Sequence, residues 1–253
     1  MSLITKNVNK VIDYFLPPVY IVSYPKAGRT WLRSLLAEII NPDASIDSKI
    51  ELTQYSRYSP FIPTIIFTHS DYKNFEQKDF KFGRYRKVVV LMRDPRDILV
   101  SSYFEHTLRT GGYDKTKSLS DFMRDPIYGL EKIIQYYNSL LKNTDIAHII
   151  HYEDLSRSPE ETLLILCKVV GLKDAKYINN IPSAISRCDF KRMQKKAKNS
   201  NNFRLKPTDK TNPESQKIRK GKVHGYTNYL SEKDQEFASN LLKKLDKRLV
   251  CQI

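Results

Sequence analysis

Residues 20–32 read YIVSYPKAGRTWL: an apolar strand passes through a short Pro/Gly turn carrying a lysine and opens directly into a helix. That order makes an anion cradle. Free N–H groups at the helix start, the positive end of the helix dipole and the Lys26 ammonium face one small volume. Trp31, Leu32, Leu35, Leu36, Ile39 and Ile40 share one face at helical spacing, so the helix has an apolar side to bury. The anion expected there is a phosphate, held beyond the C-terminal end of a sheet strand.

The same grammar recurs down the chain. A second strand over 64–68 ends at His69, and a third over 87–92 (KVVVLM) runs into Arg93-Asp94-Pro95-Arg96-Asp97. The unbroken apolar core of the third strand suits burial on both faces of a parallel sheet. A helix is predicted over 96–108, stopped by Gly111-Gly112, then another over 127–141 and a fourth strand over 146–151 that closes on Tyr152-Glu153-Asp154. Ser158-Pro159-Glu160-Glu161 reads as an N-cap serine, proline at the first helical position and acids in the first turn of a helix ending near Gly171. Segments 173–199 and 232–250 also read as helical. Strands alternating with helices predict an α/β fold with a central, mostly parallel sheet flanked by helices, and nothing marks a linker within residues 1–253.

The formal charge is +15, and between Arg187 and Lys222 there are 13 Lys/Arg against three acids, a net +10. A concentration of that size suits a nucleic-acid surface, or a positive cover over a highly anionic small ligand. The longest apolar runs are only a few residues, and Lys6, Lys10 and Asp13 interrupt the N-terminus, so a membrane span and a signal peptide are not expected and a cytoplasmic location is. Cys167, Cys188 and Cys251 offer neither a disulfide framework nor a metal-thiolate spacing.

The first loop lacks the G-x-x-x-x-G-K-[ST] pattern whose final hydroxyl holds Mg²⁺ in triphosphatases: its single glycine, Gly28, follows the lysine by two residues. Lys26, the N–H groups near Gly28 and the Thr30 hydroxyl suit a single phosphate. This loop resembles the 5'-phosphosulfate loop of the sulfotransferases that use 3'-phosphoadenosine 5'-phosphosulfate (PAPS). Further matches follow in that family's order: residues 93–101 (RDPRDILVS), 152–155 (YEDL), 188–193 (CDFKRM) and 219–223 (RKGKV). Together they cover the chain from Tyr20 to about Phe237.

The resemblance implies a three-layer P-loop-like fold that binds PAPS as donor, releases adenosine 3',5'-bisphosphate (PAP) and needs no metal. It places Lys26, Ala27, Gly28, Arg29 and Thr30 around the phosphosulfate and Trp31 beside the adenine. Arg93, Ser101, Arg219, Lys220 and the backbone of Gly221 take the 3'-phosphate, with Tyr152, Cys188 and Phe190 completing the nucleotide site. The residues agree on their own terms, since guanidinium groups match phosphate oxygens as a fork and Ser101 lies about two helical turns beyond Arg93. The segment 187–222 becomes a basic cover over the donor.

His69 is the candidate general base, in a Thr-His pair like the family's. An alcohol is a poor nucleophile at neutral pH, and a histidine of ordinary pKa suits proton removal during S–O bond formation. Tyr103, His106 and Tyr72 are candidates for acceptor contact, within an aromatic set that includes Tyr55, Tyr58, Phe61 and Phe75. Ala27, Arg29 and Phe67 depart from the family's commoner serine, threonine and lysine. The expected partner is a small-molecule acceptor with a hydroxyl, with no nucleic acid and no membrane; the oligomeric state is open. A P-loop-like small-molecule kinase and a nucleic-acid-binding protein are the competing readings.

Overall fold

The computed structural model describes residues 18–42, 62–69, 87–143, 146–199, 205 and 207–250. Tyr72 and its aromatic companions Tyr55, Tyr58, Phe61 and Phe75 lie outside the described residues. Four strands, β1 (Val19–Val22), β2 (Ile65–Thr68), β3 (Lys87–Met92) and β4 (Ile146–His151), form one sheet in the order β2-β1-β3-β4. Every pairing is parallel, and the register sets Val22 beside both Thr68 and Val90, with Met92 beside His151. All four C-terminal ends therefore emerge along one edge, where Ser23, His69, Arg93 and Tyr152 follow the strands. The expected α/β architecture, a parallel sheet flanked by helices, is the one observed.

The strands behave as their composition demands. In β3, Val88 to Met92 are all buried, as a strand covered on both faces requires. Helix α1 (Arg29–Ile40) buries Leu32, Leu35, Leu36 and Ile39, each contributing about 1.5–3 kcal/mol by leaving water. Helix α2 (Pro95–Phe104) is capped by Asp94, whose side chain accepts from the Arg96 N–H, and it continues into a π-helical turn, Glu105–Arg109. The single helix expected over 96–108 is thus two pieces, because the Thr110 N–H bonds back to the Glu105 carbonyl, five residues earlier.

Helices α3 (Leu119–Arg124) and α4 (Leu130–Asn143) follow, α4 starting three residues later than expected because the Asp125 carboxylate accepts from the N–H groups of Ile127 and Tyr128. Beyond β4 come α5 (Tyr152–Arg157) and α6 (Pro159–Val170). Proline does occupy the start of α6 with Glu160 and Glu161 in its first turn, but Ser158 makes no side-chain capping bond because it also terminates α5. The stretch 173–199 divides into α7 (Ala175–Ile178), α8 (Ile181–Arg187) and α9 (Phe190–Asn199), with Pro182 at the start of α8. Helix α10 (Glu232–Leu242) stops short of 250, since Asn138 of α4 bonds both the Lys244 carbonyl and the Asp246 N–H. Among the described residues no helix is long and apolar enough to cross a membrane.

Two buried tyrosines of α4 fasten the strand ends. Tyr137 donates to the Leu91 carbonyl at 3.1 Å and accepts from the Tyr24 N–H at 3.2 Å, while Tyr136 donates to the His69 carbonyl at 2.9 Å. The ends of β1, β2 and β3 are held to one helix, which fixes the loops that leave them.

Candidate active site

The loop after β1 turns sharply at Lys26 and Gly28, with φ of 75° and 97°, and Gly28 caps α1 with no side chain of its own. A Cβ at Gly28 would stand 2.5 Å from the Tyr152 ring, so only glycine lets the loop close onto that ring. Tyr152 in turn meets Trp31 edge to face at 5.4 Å, and the Trp31 indole N–H donates to the Cys188 carbonyl at 3.0 Å. Gly221 repeats the device opposite, where a Cβ would meet Phe190 at 2.5 Å. Two glycines and four aromatic or thiol side chains from distant segments thus form the walls of one cleft of about 430 Å³.

All the nucleotide-site residues expected from the sequence line this cleft except Ala27, which is fully buried in the core beneath it. Arg93 lies over the Tyr152 ring at 4.4 Å, with Nη2 donating to the Lys222 carbonyl at 3.0 Å and pairing with Asp97 at 3.4 Å. Asp97 also accepts from the Tyr226 N–H at 2.9 Å, so one buried carboxylate ties α2 to the late basic loop. Arg219 pairs with Glu214 at 2.7 Å, and Lys220 with the same carboxylate at 2.9 Å. The Nε atoms of Arg93 and Arg219 are buried and find no acceptor among the described residues. Guanidinium donors left dry in a cleft fit a phosphate, which these residues would hold.

His69 follows β2 and lines the same cleft. Its Nδ1 lies 3.0 Å from the Ser23 carbonyl, which can only accept, so the proton of the neutral ring sits on Nδ1. Burial, and then the Arg29 charge, push the imidazole down to about 3, with Lys217 acting in the same direction. The ring is therefore neutral at every pH near 7, unlike the ordinary histidine expected from the sequence.

Lys26 is met by a residue that the sequence reading did not single out. Glu105, placed by the π-helical turn, accepts from the Lys26 ammonium at 2.6 Å and from Lys217 at 3.0 Å, and forms an ion pair with Arg109 at 3.2 Å. Burial and the neighbouring Lys217 lower Lys26 to about 7 against the pull of Glu105, whereas the surrounding cations hold Glu105 at about 2. Three cations share this one carboxylate, and two of them, Lys26 and Lys217, line the cleft. The helical spacing of Glu105 and Arg109 was visible in sequence, but their partners are 79 and 112 residues from Glu105.

The acceptor-side candidates fall elsewhere. Tyr103 donates to the Lys117 carbonyl and packs on Phe122, while His106 lies tilted against Tyr128 at 4.7 Å beside the same Phe122. The structure brings these two to an aromatic cluster outside the cleft lining. His224, at φ 56°, and His151 line a separate cavity.

A family profile described as the sulfotransferase domain matches residues 16–249. Cytosolic sulfotransferase 17 of Arabidopsis thaliana is 26% identical over 241 residues, covering 84% of this chain and 69% of the relative. Human sulfotransferase 2A1 is 26% identical over 262 residues, covering 91% and 86%. Among solved structures, retinol dehydratase in complex with androsterone and the inactive cofactor PAP superposes with a TM-score of 0.64 at 18% identity, over 95% of this chain and 84% of that one. Mouse sulfotransferase SULT7A1 complexed with PAP gives 0.58 at 22% identity, over 90% and 84%. These two show a shared fold. The chain belongs to the sulfotransferase family, whose activity is the PAPS-dependent transfer of a sulfuryl group to an acceptor.

Proposed function

We propose that His69 is the general base of this transfer and that the acceptor is the hydroxyl of a small molecule. The observation that carries the reading is the place of His69: it lines the same cleft as Lys26, with its Nδ1 3.0 Å from the Ser23 carbonyl. Nε2 takes the hydroxyl proton as the oxygen attacks. PAPS supplies the activated sulfuryl group and PAP is its leaving group. Lys26 and the N–H groups at the start of α1 stabilise charge growing on the phosphate side, which is where fixed donors contribute most to rate. Arg93 and Arg219, with their dry Nε atoms, orient the 3'-phosphate, assisted by Ser101 and Lys220.

The low basicity of His69 in the ligand-free cleft belongs to the same reading. Arg29 and Lys217 depress it, and the negative charge of a bound donor offsets both cations. The base thus gains strength once the donor is in place, which restrains unproductive proton capture beforehand. Segment 187–222 contributes Phe190 and the Lys217–Lys222 run to the cleft wall and acts as its basic cover. The cytosolic sulfotransferases among the relatives support action in the cytosol.

The test is the His69→Ala variant assayed with radiolabelled PAPS against a panel of phenols and aliphatic alcohols, alongside calorimetric titration with PAP. Turnover should fall by about 10²–10⁴ while PAP affinity stays within about twofold. Retained turnover with intact PAP binding would remove His69 from the chemistry.

A further inference from the structure

Tyr229 follows the late basic loop and lines the cleft with Arg219 and Lys220. Arg219 Nη1 donates to its hydroxyl at 2.7 Å, and the Lys220 ammonium donates to it as well. The hydroxyl in turn donates to Glu214 Oε1 at 2.9 Å. A phenol has one proton to give and two lone pairs to receive with, and both cations can only donate. These three partners therefore fill its capacity and fix the direction of every bond, leaving no O–H to give a phosphate.

The ring does separate work. It meets Phe104, the last residue of α2, edge to face at 5.3 Å, and the Arg219 guanidinium lies over the same Phe104 at 4.8 Å. Helix α2 also carries Ser101, which lines the cleft. Ring packing thus ties the late loop to the helix that bears Ser101, and a phenylalanine would keep it. The hydroxyl bonds would be lost. They matter most for Lys220, which is 44% exposed and whose long side chain otherwise samples many rotamers. Glu214 also holds both cations, at 2.7 and 2.9 Å, but with a charge that opposes an incoming phosphate. The hydroxyl holds them without one.

We propose that Tyr229 is a positioning residue for donor recognition: its neutral hydroxyl holds Arg219 and Lys220 where the 3'-phosphate binds, and so sets the preference for nucleotides that carry that phosphate over those that lack it. Cations fixed before binding lose less freedom when the phosphate arrives, and a neutral acceptor fixes them without cancelling their charge. Tyr229 touches neither phosphate nor sulfuryl group and acts through its two neighbours. This role rests on the assignment of Arg219 and Lys220 to the 3'-phosphate.

Calorimetric titration of the full chain with PAP and with AMP, in the wild type and in Tyr229→Phe, tests it. AMP lacks the 3'-phosphate and reports the rest of the cleft. PAP should bind Tyr229→Phe about fivefold more weakly than the wild type, the equivalent of one net hydrogen bond, while AMP stays within about twofold. A loss shared equally by PAP and AMP, partial or complete, would mean that the hydroxyl serves the fold at large and would overturn the positioning role. A preference for PAP over AMP that survives undiminished in Tyr229→Phe overturns that role alone. A wild type that binds the two nucleotides equally overturns the 3'-phosphate assignment and the role of Tyr229 with it.

Discussion

Lys26 and Gly28 show how few residues define the donor loop, and both make predictions at their own scale. At Gly28 the backbone is left-handed and a methyl would strike the Tyr152 ring. Gly28→Ala should destabilise the protein by about 1–2 kcal/mol from the left-handed backbone alone, seen as a lower Tm, and should weaken PAP as Tyr152 is displaced. Lys26 titrates near 7, so its charge is present below that pH and lost above it. PAP affinity should fall between pH 6.5 and 8.5, and Lys26→Met should flatten that dependence in calorimetric titrations. Lys26 and Gly28 were legible because the strand–turn–helix order by itself specifies an anion cradle. The low pKa of His69 was not, since it arises from burial and from Arg29, whose approach depends on the folded loop.

At the scale of elements, the strands were legible because parallel strands buried on both faces are continuous apolar runs, as in β3. Helix α3 was overlooked although Ser118 and Asp121 form a capping box there, a signal available in sequence. The π-helical turn after α2 was not legible, because its register answers to long-range partners: it delivers Glu105 to Lys26 and Lys217. Glu105→Gln leaves these buried cations short of their shared carboxylate and should cost about 3 kcal/mol, measured by denaturant unfolding. Because Glu105 raises the Lys26 pKa, its loss should also move the pH midpoint of PAP binding below 7. A merely structural role for Glu105 would lower stability and leave that midpoint in place.

Taken whole, the molecule concentrates its function along one sheet edge. Parallel pairing brings Lys26, His69, Arg93 and Tyr152 together from four strand ends, and Lys217, Arg219, Lys220 and Lys222 line the same cleft. Part of the charge surplus thus meets the strand ends in one cleft, whereas the nucleic-acid reading explained the composition but left the strand-end residues without a role. The acceptor side was the least legible region. Tyr103 and His106 were chosen for aromatic character and helical position, and the fold spends both on an aromatic cluster with Phe122 and Tyr128.

The central claim is that the buried Arg93 and Arg219 read the 3'-phosphate of the nucleotide, and calorimetric titration with PAP and AMP in EDTA tests it most directly. The two ligands differ by that phosphate, and charge-assisted bonds to it are each worth about 1.5–3 kcal/mol. PAP should bind at least about 30-fold more tightly than AMP, with the preference largely lost in Arg93→Met. Equal affinity for the two nucleotides would contradict the account.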